Sequence, residues 1–439
     1  LSAFVGRVLA YQGFCGRGGG KMVQAAKFLS RVAKRRIPSP IRALQPLMGV
    51  PGMISFGGGL PNPAMFPVES ISVTLKDGST FALEGQQLST GLQYGPTPGF
   101  PPLRQWILDH QRRVHHAPED TEVLVTTGSQ EALSKVFELL LDPEDTLLVE
   151  SPTYSGALAA LAPVDCTLCG VPSDAEGVIP EELERVLREC AVPPKALYLV
   201  PTGCNPSGGT LSLERRHRIV QLASEYDFLI LEDDPYFYLT LDLDPGEERV
   251  PSLYSLDQEQ RVIRFDSFSK VLSAGMRLGW VSGPSCLLDF VNLHMQASSL
   301  HTSNISQLLA YGLLSQWGEE GLERHITEVQ RFYRHKRDTF VALAEKHLEG
   351  LAEWSIPTAG MFLWINLLGV PDSKKLIEEH ARDRKVLLVP GQAFSPENKP
   401  SSYVRASFSI ASEADMEEGL QRLADLLREQ QKRAESAAP

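Results

Sequence analysis

Acidic residues are missing from the first part of the chain: no Asp or Glu precedes Glu69, in a protein of 439 residues with 54 of them. Long apolar runs are missing too. Nothing approaches the ~18–20 consecutive apolar residues of a bilayer-crossing helix, which argues against a transmembrane segment. Cysteine is scarce and scattered, at 15, 166, 169, 190, 204 and 286. That spacing argues for free thiols in a reducing compartment. Cys166 and Cys169 form one C-x-x-C pair, but no second pair or histidine stands at zinc spacing, so no metal site is expected. The body of the chain has no clustered basic stripe, and the net charge of -12 disfavours nucleic acid as a partner. There are no repeats, and the only low-complexity stretches are Gly16–Gly20 and the polar end after Arg428.

The acid-free start carries nine Lys or Arg residues. Ala25, Phe28, Leu29, Val32 and Ala33 share one helical face, with Lys27, Arg31, Lys34 and Arg35 opposite. This is the composition of a mitochondrial presequence, the alternative being a solvated basic arm on a cytoplasmic protein. The chain opens on Leu1, with Met22 just after the glycine run. Residues 1–21 are therefore expected to be dispensable and 22–36 to form a targeting helix. The remaining organisation is expected as an arm over 37–90 that joins a small domain, a large domain over 91–345, the rest of the small domain over 346–430, and a tail over 431–439.

The body reads as α/β. Short apolar runs at Glu122–Thr126, Thr146–Glu150, Ala196–Val200, Phe228–Glu232, Val262–Phe265 and Trp280–Ser282 alternate with helical patterns such as Gln130–Leu141. Buried runs of this kind predict a mostly parallel sheet flanked by helices. Long helices follow Cys286 to about His347, then a strand-and-helix part with strands at Phe362–Ile365 and Val386–Val389. Its last helix is expected to start at Ser412, capped with Asp415, and to bury Met416, Leu420, Leu423 and Leu427.

Four clusters follow four of the strands. Gly128-Ser129-Gln130 joins a strand to a helix, where backbone N–H groups and a hydroxyl make a phosphate cradle. The loop Pro201–Gly208 holds Asn205 between prolines and glycines. Glu232-Asp233-Asp234-Pro235-Tyr236 places acids at the exit of an apolar strand, where a carboxylate needs a partner. Asp266-Ser267-Phe268-Ser269-Lys270 precedes Arg277, bringing a lysine beside two hydroxyls and a guanidinium. Each cluster alone also fits an ordinary turn, cap or surface lysine. Together, at the carboxyl ends of strands, they describe pyridoxal 5'-phosphate (PLP), which needs a lysine, a phosphate cradle and an acid for its ring nitrogen.

The set S-x-S-K, R-x-G, N-P-[ST]-G and D-x-x-Y resembles the fold-type-I PLP aminotransferases of class I/II. Pro38–Arg42, Gly57–Pro63, Pro152–Gly156, Ala359–Trp364 and Arg405–Ser409 resemble the kynurenine/2-aminoadipate branch of animal mitochondria. The resemblance runs from about Met22 to about Leu427. It implies a large domain with a mostly parallel seven-stranded sheet, a smaller α+β domain, and a homodimer with shared active sites. By the same resemblance, Lys270 carries PLP as a Schiff base and moves the substrate proton, and Asp233 pairs with the ring nitrogen. Asn205 and Tyr236 bond the phenolic oxygen, and Tyr154 stacks on the ring. Ser129, Gln130, Ser267, Ser269 and Arg277 hold the phosphate. Arg405 clamps the substrate carboxylate, with Arg42, Gly59, Leu60 and Tyr94 around the side-chain end, Tyr94 reaching from the neighbouring subunit.

Two positions depart from the family pattern. Thr202 and Cys204 stand where the loop ordinarily carries asparagines, which leaves fine substrate preference open. The activity implied is amino-group exchange between amino acids, kynurenine and 2-aminoadipate among them, and 2-oxoglutarate by a ping-pong cycle. A PLP β-lyase or synthase on the same fold is the alternative. A PLP-sensing transcription regulator would need a helix-turn-helix domain larger than this leader.

Overall fold

The computed structural model describes residues 24–48, 50–243 and 247–437. A hairpin of β1 (Ser70–Thr74) and β2 (Thr80–Glu84) precedes the strands of the main sheet. Those are β3 (Thr121–Thr126), β4 (Thr146–Ser151), β5 (Thr167–Asp174), β6 (Gly177–Val178), β7 (Ala196–Leu199), β8 (Leu229–Asp233), β9 (Val262–Ser267) and β10 (Gly279–Pro284). Their order is β3-β10-β9-β8-β7-β4-β5-β6. Strands β5, β4, β7, β8 and β9 pair in parallel, and β10 is antiparallel to both β9 and β3. The sheet has eight strands rather than seven because the two-residue β6 folds back on the β5 edge.

Strand alternation sorts the core into two layers. Tyr198, Leu229 and Leu231 face one layer, with Val136 and Phe137 of the helix Ser129–Leu140 and Leu287 and Val291 of Ser285–Ala297. Leu197, Leu199 and Ile230 face the other, against Leu183 of Pro180–Glu189 and Ile219 and Leu222 of Leu213–Tyr226.

A second, antiparallel sheet comprises β11 (Ala352–Trp354), β12 (Phe362–Leu367), β13 (Val389–Pro390) and β14 (Tyr403–Ser407) in the order β11-β12-β14-β13. The strand expected over Val386–Val389 shrinks to Val389–Pro390: Val386 is buried where its N–H closes a turn on Ala381, and Leu387 points to solvent. The last helix, Glu413–Ala437, starts as expected. Ser412 Oγ accepts from the Asp415 N–H at 3.1 Å, and the Asp415 carboxylate accepts from the Ser412 hydroxyl at 2.6 Å. Met416, Leu420, Leu423 and Leu427 are buried. The helix also runs through much of the expected tail. Cys166, Cys169, Cys190 and Cys204 are free thiols, whereas Cys286 is disulfide-bonded, against the expectation of free thiols throughout.

The basic leader differs most from expectation. Residues 1–23 lie outside the described residues, so the expected dispensable stretch 1–21 falls there. From Ala25 onward the chain is not a free targeting helix but part of the large core. Two short helices, Ala25–Phe28 and Arg31–Lys34, break at Leu29-Ser30. Ser30 caps the second through its hydroxyl, and its own N–H and O–H donate to the carbonyls of Leu139 and Glu138, both at 2.7 Å. Ala25, Phe28, Leu29 and Ala33 are buried, and Val32 alone of that face is exposed. The basic residues pair with acids of the main body: Lys27 with Asp227, Arg31 with Glu144, Arg36 with Glu138.

This packing carries a prediction. A chain beginning at Ile37 loses buried Phe28, an effect of ~3–5 kcal/mol for a buried aromatic side chain. Its thermal unfolding midpoint should fall by several degrees relative to a chain beginning at Gln24. Equal midpoints in calorimetry would show that the packed segment adds nothing.

Candidate functional site

Because β3, β4, β7, β8 and β9 point the same way, their carboxyl ends open on one edge of the sheet. The chain passes from them into Gly128, Tyr154, Asn205, Asp233 and Lys270. Strand β10 runs the opposite way, so its beginning lies at that edge and Arg277 just ahead of it joins the group. This is the strand-end position where ligands bind in open α/β sheets.

Around Arg277 the backbone is shaped for close approach. Gly128 adopts φ 74°, and a Cβ there would sit 2.3 Å from an Arg277 guanidinium nitrogen. Arg277 itself has φ 52°. Its guanidinium reaches the Ser269 hydroxyl at 3.5 Å, while Ser267 Oγ accepts from the Ser269 N–H at 3.1 Å. Ser129 begins the helix Ser129–Leu140, and Gln130 donates to the Gly156 carbonyl at 2.8 Å. Two hydroxyls, a guanidinium and a helix N-terminus thus converge, the chemistry that binds a phosphate dianion.

Lys270 leaves β9 beside this cradle, partly buried, its Nζ 6.0 Å from the centre of the Tyr236 ring. Burial, then the positive charges of Arg277 and Arg405, push its ammonium below the usual lysine range. That favours the neutral amine, the form that condenses with an aldehyde. Tyr236 is buried, edge-on to Phe362, and its hydroxyl is pushed up by burial and by Asp233. Tyr154 stands at the start of the helix Ser155–Leu161 and is raised for the same reasons.

The two acids that end β8 and Asp234 just after it separate by alternation. Glu232 and Asp234 turn to one side, where Arg264 lies 3.2 Å from each and 2.8 Å from Asp266. Asp233 turns to the other. Its Oδ2 accepts from the Tyr198 hydroxyl at 2.8 Å, and its Oδ1 is buried with no hydrogen-bond partner among the described residues. Burial pushes Asp233 up to about 7, opposed by the Tyr198 hydrogen bond. A buried acceptor left open in this way fits a protonated pyridine nitrogen, whose charge would favour the carboxylate.

Across from it, Arg405 on β14 donates to Asn205 Oδ1 at 2.7 Å. Its guanidinium lies 4.3 Å over the Phe362 ring and 5.2 Å from Phe394, which hold the plane of the fork. Thr202 and Cys204, the two departures from the family pattern, face away into the protein. Thr202 accepts from Arg216 at 3.2 Å, and Cys204 Sγ lies 3.3 Å from Glu150 Oε2.

Arg42 and Tyr94 form a separate group. Arg42 donates to the Gly95 carbonyl at 2.9 Å, and Tyr94 sits half-exposed, edge-on to His301. Gly59 and Leu60 are exposed, and a Cβ on Gly59 would meet nothing within 4 Å. Tyr198, Glu150 and Arg264 were not singled out in the sequence. Tyr198 shares a face with Asp233 only through the pairing of β7 with β8, a register that reading along the chain does not give.

A phosphate cradle, a partly buried lysine and an open buried carboxylate oxygen at one sheet edge define a PLP-dependent enzyme of fold type I. The chain belongs to the class I and II aminotransferases, whose family pattern, described as "Aminotransferase class I and II", matches residues 64–423. It is similar to the mitochondrial kynurenine/alpha-aminoadipate aminotransferase of Mus musculus, 43% identical over 424 residues, which cover 92% of this chain and 99% of that one. The crystal structure of the aminotransferase Aro8 from Candida albicans is 30% identical with a TM-score of 0.84, covering 94% and 99% of the two chains. A kynurenine aminotransferase from Pyrococcus horikoshii, solved with PMP, is 33% identical with a TM-score of 0.74, covering 92% and 98%.

Proposed function

We propose that this PLP-dependent aminotransferase moves amino groups from kynurenine or 2-aminoadipate to 2-oxoglutarate, by a ping-pong cycle in a mitochondrial homodimer. Arg405 is the observation that carries the substrate side. It is a planar fork packed beside the rings of Phe362 and Phe394, anchored at one end by Asn205, and its Nε is buried with no protein acceptor among the described residues. Such a fork suits a carboxylate held by two parallel hydrogen bonds.

When bound, PLP supplies the electron sink that stabilises negative charge on the substrate's α-carbon. Ser129, Gln130, Ser267, Ser269 and Arg277 would hold its phosphate, and Tyr154 would face the ring. Asn205 and Tyr236 would hold the phenolic oxygen, and Asp233 Oδ1 would accept from the ring nitrogen. Lys270 would be the base that takes the proton from the substrate's α-carbon and gives it back as the acid.

An arm of exposed apolar side chains supports the dimer. Ile54 is 80% and Phe56 is 96% exposed, with Ile41 and Met65 beside them in the sequence order of the arm. Large apolar side chains this exposed would be buried at an interface. Covered by a second copy, it would carry Gly59, Leu60 and Tyr94 to the neighbouring site. The mitochondrial assignment rests on the acid-free basic leader and on the printed names of the mammalian relatives. Since Ala25 onward is built into the core, any processing falls ahead of it.

A panel of amino donors with 2-oxoglutarate as acceptor tests the reading. Kynurenine and 2-aminoadipate should lead the panel, and Arg42→Ala should impair 2-aminoadipate more than kynurenine, by ~1.5–3 kcal/mol for one charged hydrogen bond. Equal losses for both donors would remove Arg42 from specificity. Repeated turnover without an oxo-acid acceptor, beyond the one product per site that the first half of a ping-pong cycle releases, would point instead to a lyase.

A further inference from the structure

We infer that Tyr198 is a positioning residue for the reaction, fixing the Asp233 carboxylate so that one oxygen alone is presented to the ring nitrogen. This rests on the reading of Asp233 given above. A carboxylate on a strand end can rotate about its last bond and offer either oxygen. Here the Tyr198 hydroxyl donates to Oδ2 at 2.8 Å, and Oδ1 is the oxygen left open.

The tyrosine has little freedom of its own. It is fully buried on β7, which pairs with β8 in a register that puts Tyr198 beside Leu231, two residues before Asp233 on the same face. Its ring packs edge-on against Phe137 at 5.7 Å, so the hydroxyl is delivered by two rigid elements at once. Asp234, the adjacent acid, is already engaged by Arg264 on the other side of the sheet and cannot substitute.

The same hydrogen bond also bears on charge. Burial favours the protonated carboxyl at Asp233, and the nearby acids Asp234 and Asp266 push the same way, with Arg264 opposing. A protonated Asp233 would no longer hold the positive ring nitrogen. A neutral donor such as the Tyr198 hydroxyl stabilises the ionised form without competing for the open oxygen.

Tyr198→Phe keeps the ring and its packing and removes only the donor. In the holoenzyme, kcat should fall by about ten- to a hundredfold, the range for one hydrogen bond to a charged group, with KM for the amino donor nearly unchanged. The visible absorption band of the bound cofactor should shift, and apoenzyme should bind PLP more weakly. In an Asp233→Asn background the same substitution should add little, because both act through one carboxylate. Wild-type kcat and absorption in Tyr198→Phe would overturn the inference, whatever the melting temperature does, and would leave a packing role. Additive losses in the double variant would overturn it as well. An impaired Asp233→Asn beside a normal Tyr198→Phe sinks this inference alone, whereas a fully active Asp233→Asn sinks the Asp233 reading and this inference with it.

Discussion

Lys270→Ala is expected to give a protein that folds, loses borohydride-fixable pyridoxyl label, and turns over at least about 10,000-fold more slowly than the parent. The upper range for general acid–base catalysis alone is about that size, and this lysine is also the proposed covalent anchor. The structure sets this lysine apart by its surroundings. Lys270 lies partly buried beside Arg277 and Arg405, and burial and those two charges lower its ammonium in the same direction. Peptide mapping after borohydride reduction checks the assignment, and label on any other lysine would refute it. Added small amines should restore part of the rate if the missing group is a base, a result that a folding defect cannot produce.

Asp233→Asn carries the next largest expected effect. The substitution keeps shape and the contact with Tyr198 but removes the charge that would hold a protonated ring nitrogen. Loss of one partner from a buried charge pair is worth ~3–5 kcal/mol, so kcat should fall by about 150- to 5,000-fold while cofactor still binds. Asp234→Asn is the informative companion, because Asp234 faces Arg264 at 3.2 Å on the opposite side of the sheet. It should perturb stability more than cofactor absorption. Near-normal turnover in Asp233→Asn would show that this pairing does not operate.

The pair of acids shows where reading along the chain stopped. Glu232-Asp233-Asp234 marks the end of an apolar strand, and the residues identify it as a site for a positive partner. Which of the three faces that partner is decided by the alternation of β8 and by the position of Arg264 on the next strand, 30 residues later in the sequence than Asp234. Strand β5 was missed for a local reason. Its sequence Thr-Leu-Cys-Gly-Val-Pro-Ser-Asp contains Gly170 and Pro172, and only Val171 along it is buried, so no apolar run marks it. Such a strand exists because β4 is already there to pair with it.

The leader illustrates the opposite error. Ala25, Phe28, Leu29 and Ala33 do form the apolar set that helical spacing indicates. Periodicity cannot tell a face that meets a membrane or import receptor from one that meets the protein's own core. Ser30 ties the segment to the core by donating to two carbonyls at the end of the helix Ser129–Leu140, a contact between residues more than a hundred positions apart.

By itself the sequence determined the class of fold, the cofactor and the clusters that hold it. Those depend on short patterns: an apolar run, a turn, and a few side chains just beyond it. The tertiary structure decided which side chain of each cluster faces the candidate site. It turned Asp233 toward the site and Asp234 away, sent Thr202 and Cys204 into the interior, and set Tyr198 behind the carboxylate. The antiparallel insertion of β10 carried Arg277 to the edge where Ser267 and Ser269 emerge. None of these follows from neighbours in sequence, because strand order and strand direction are properties of the assembled sheet.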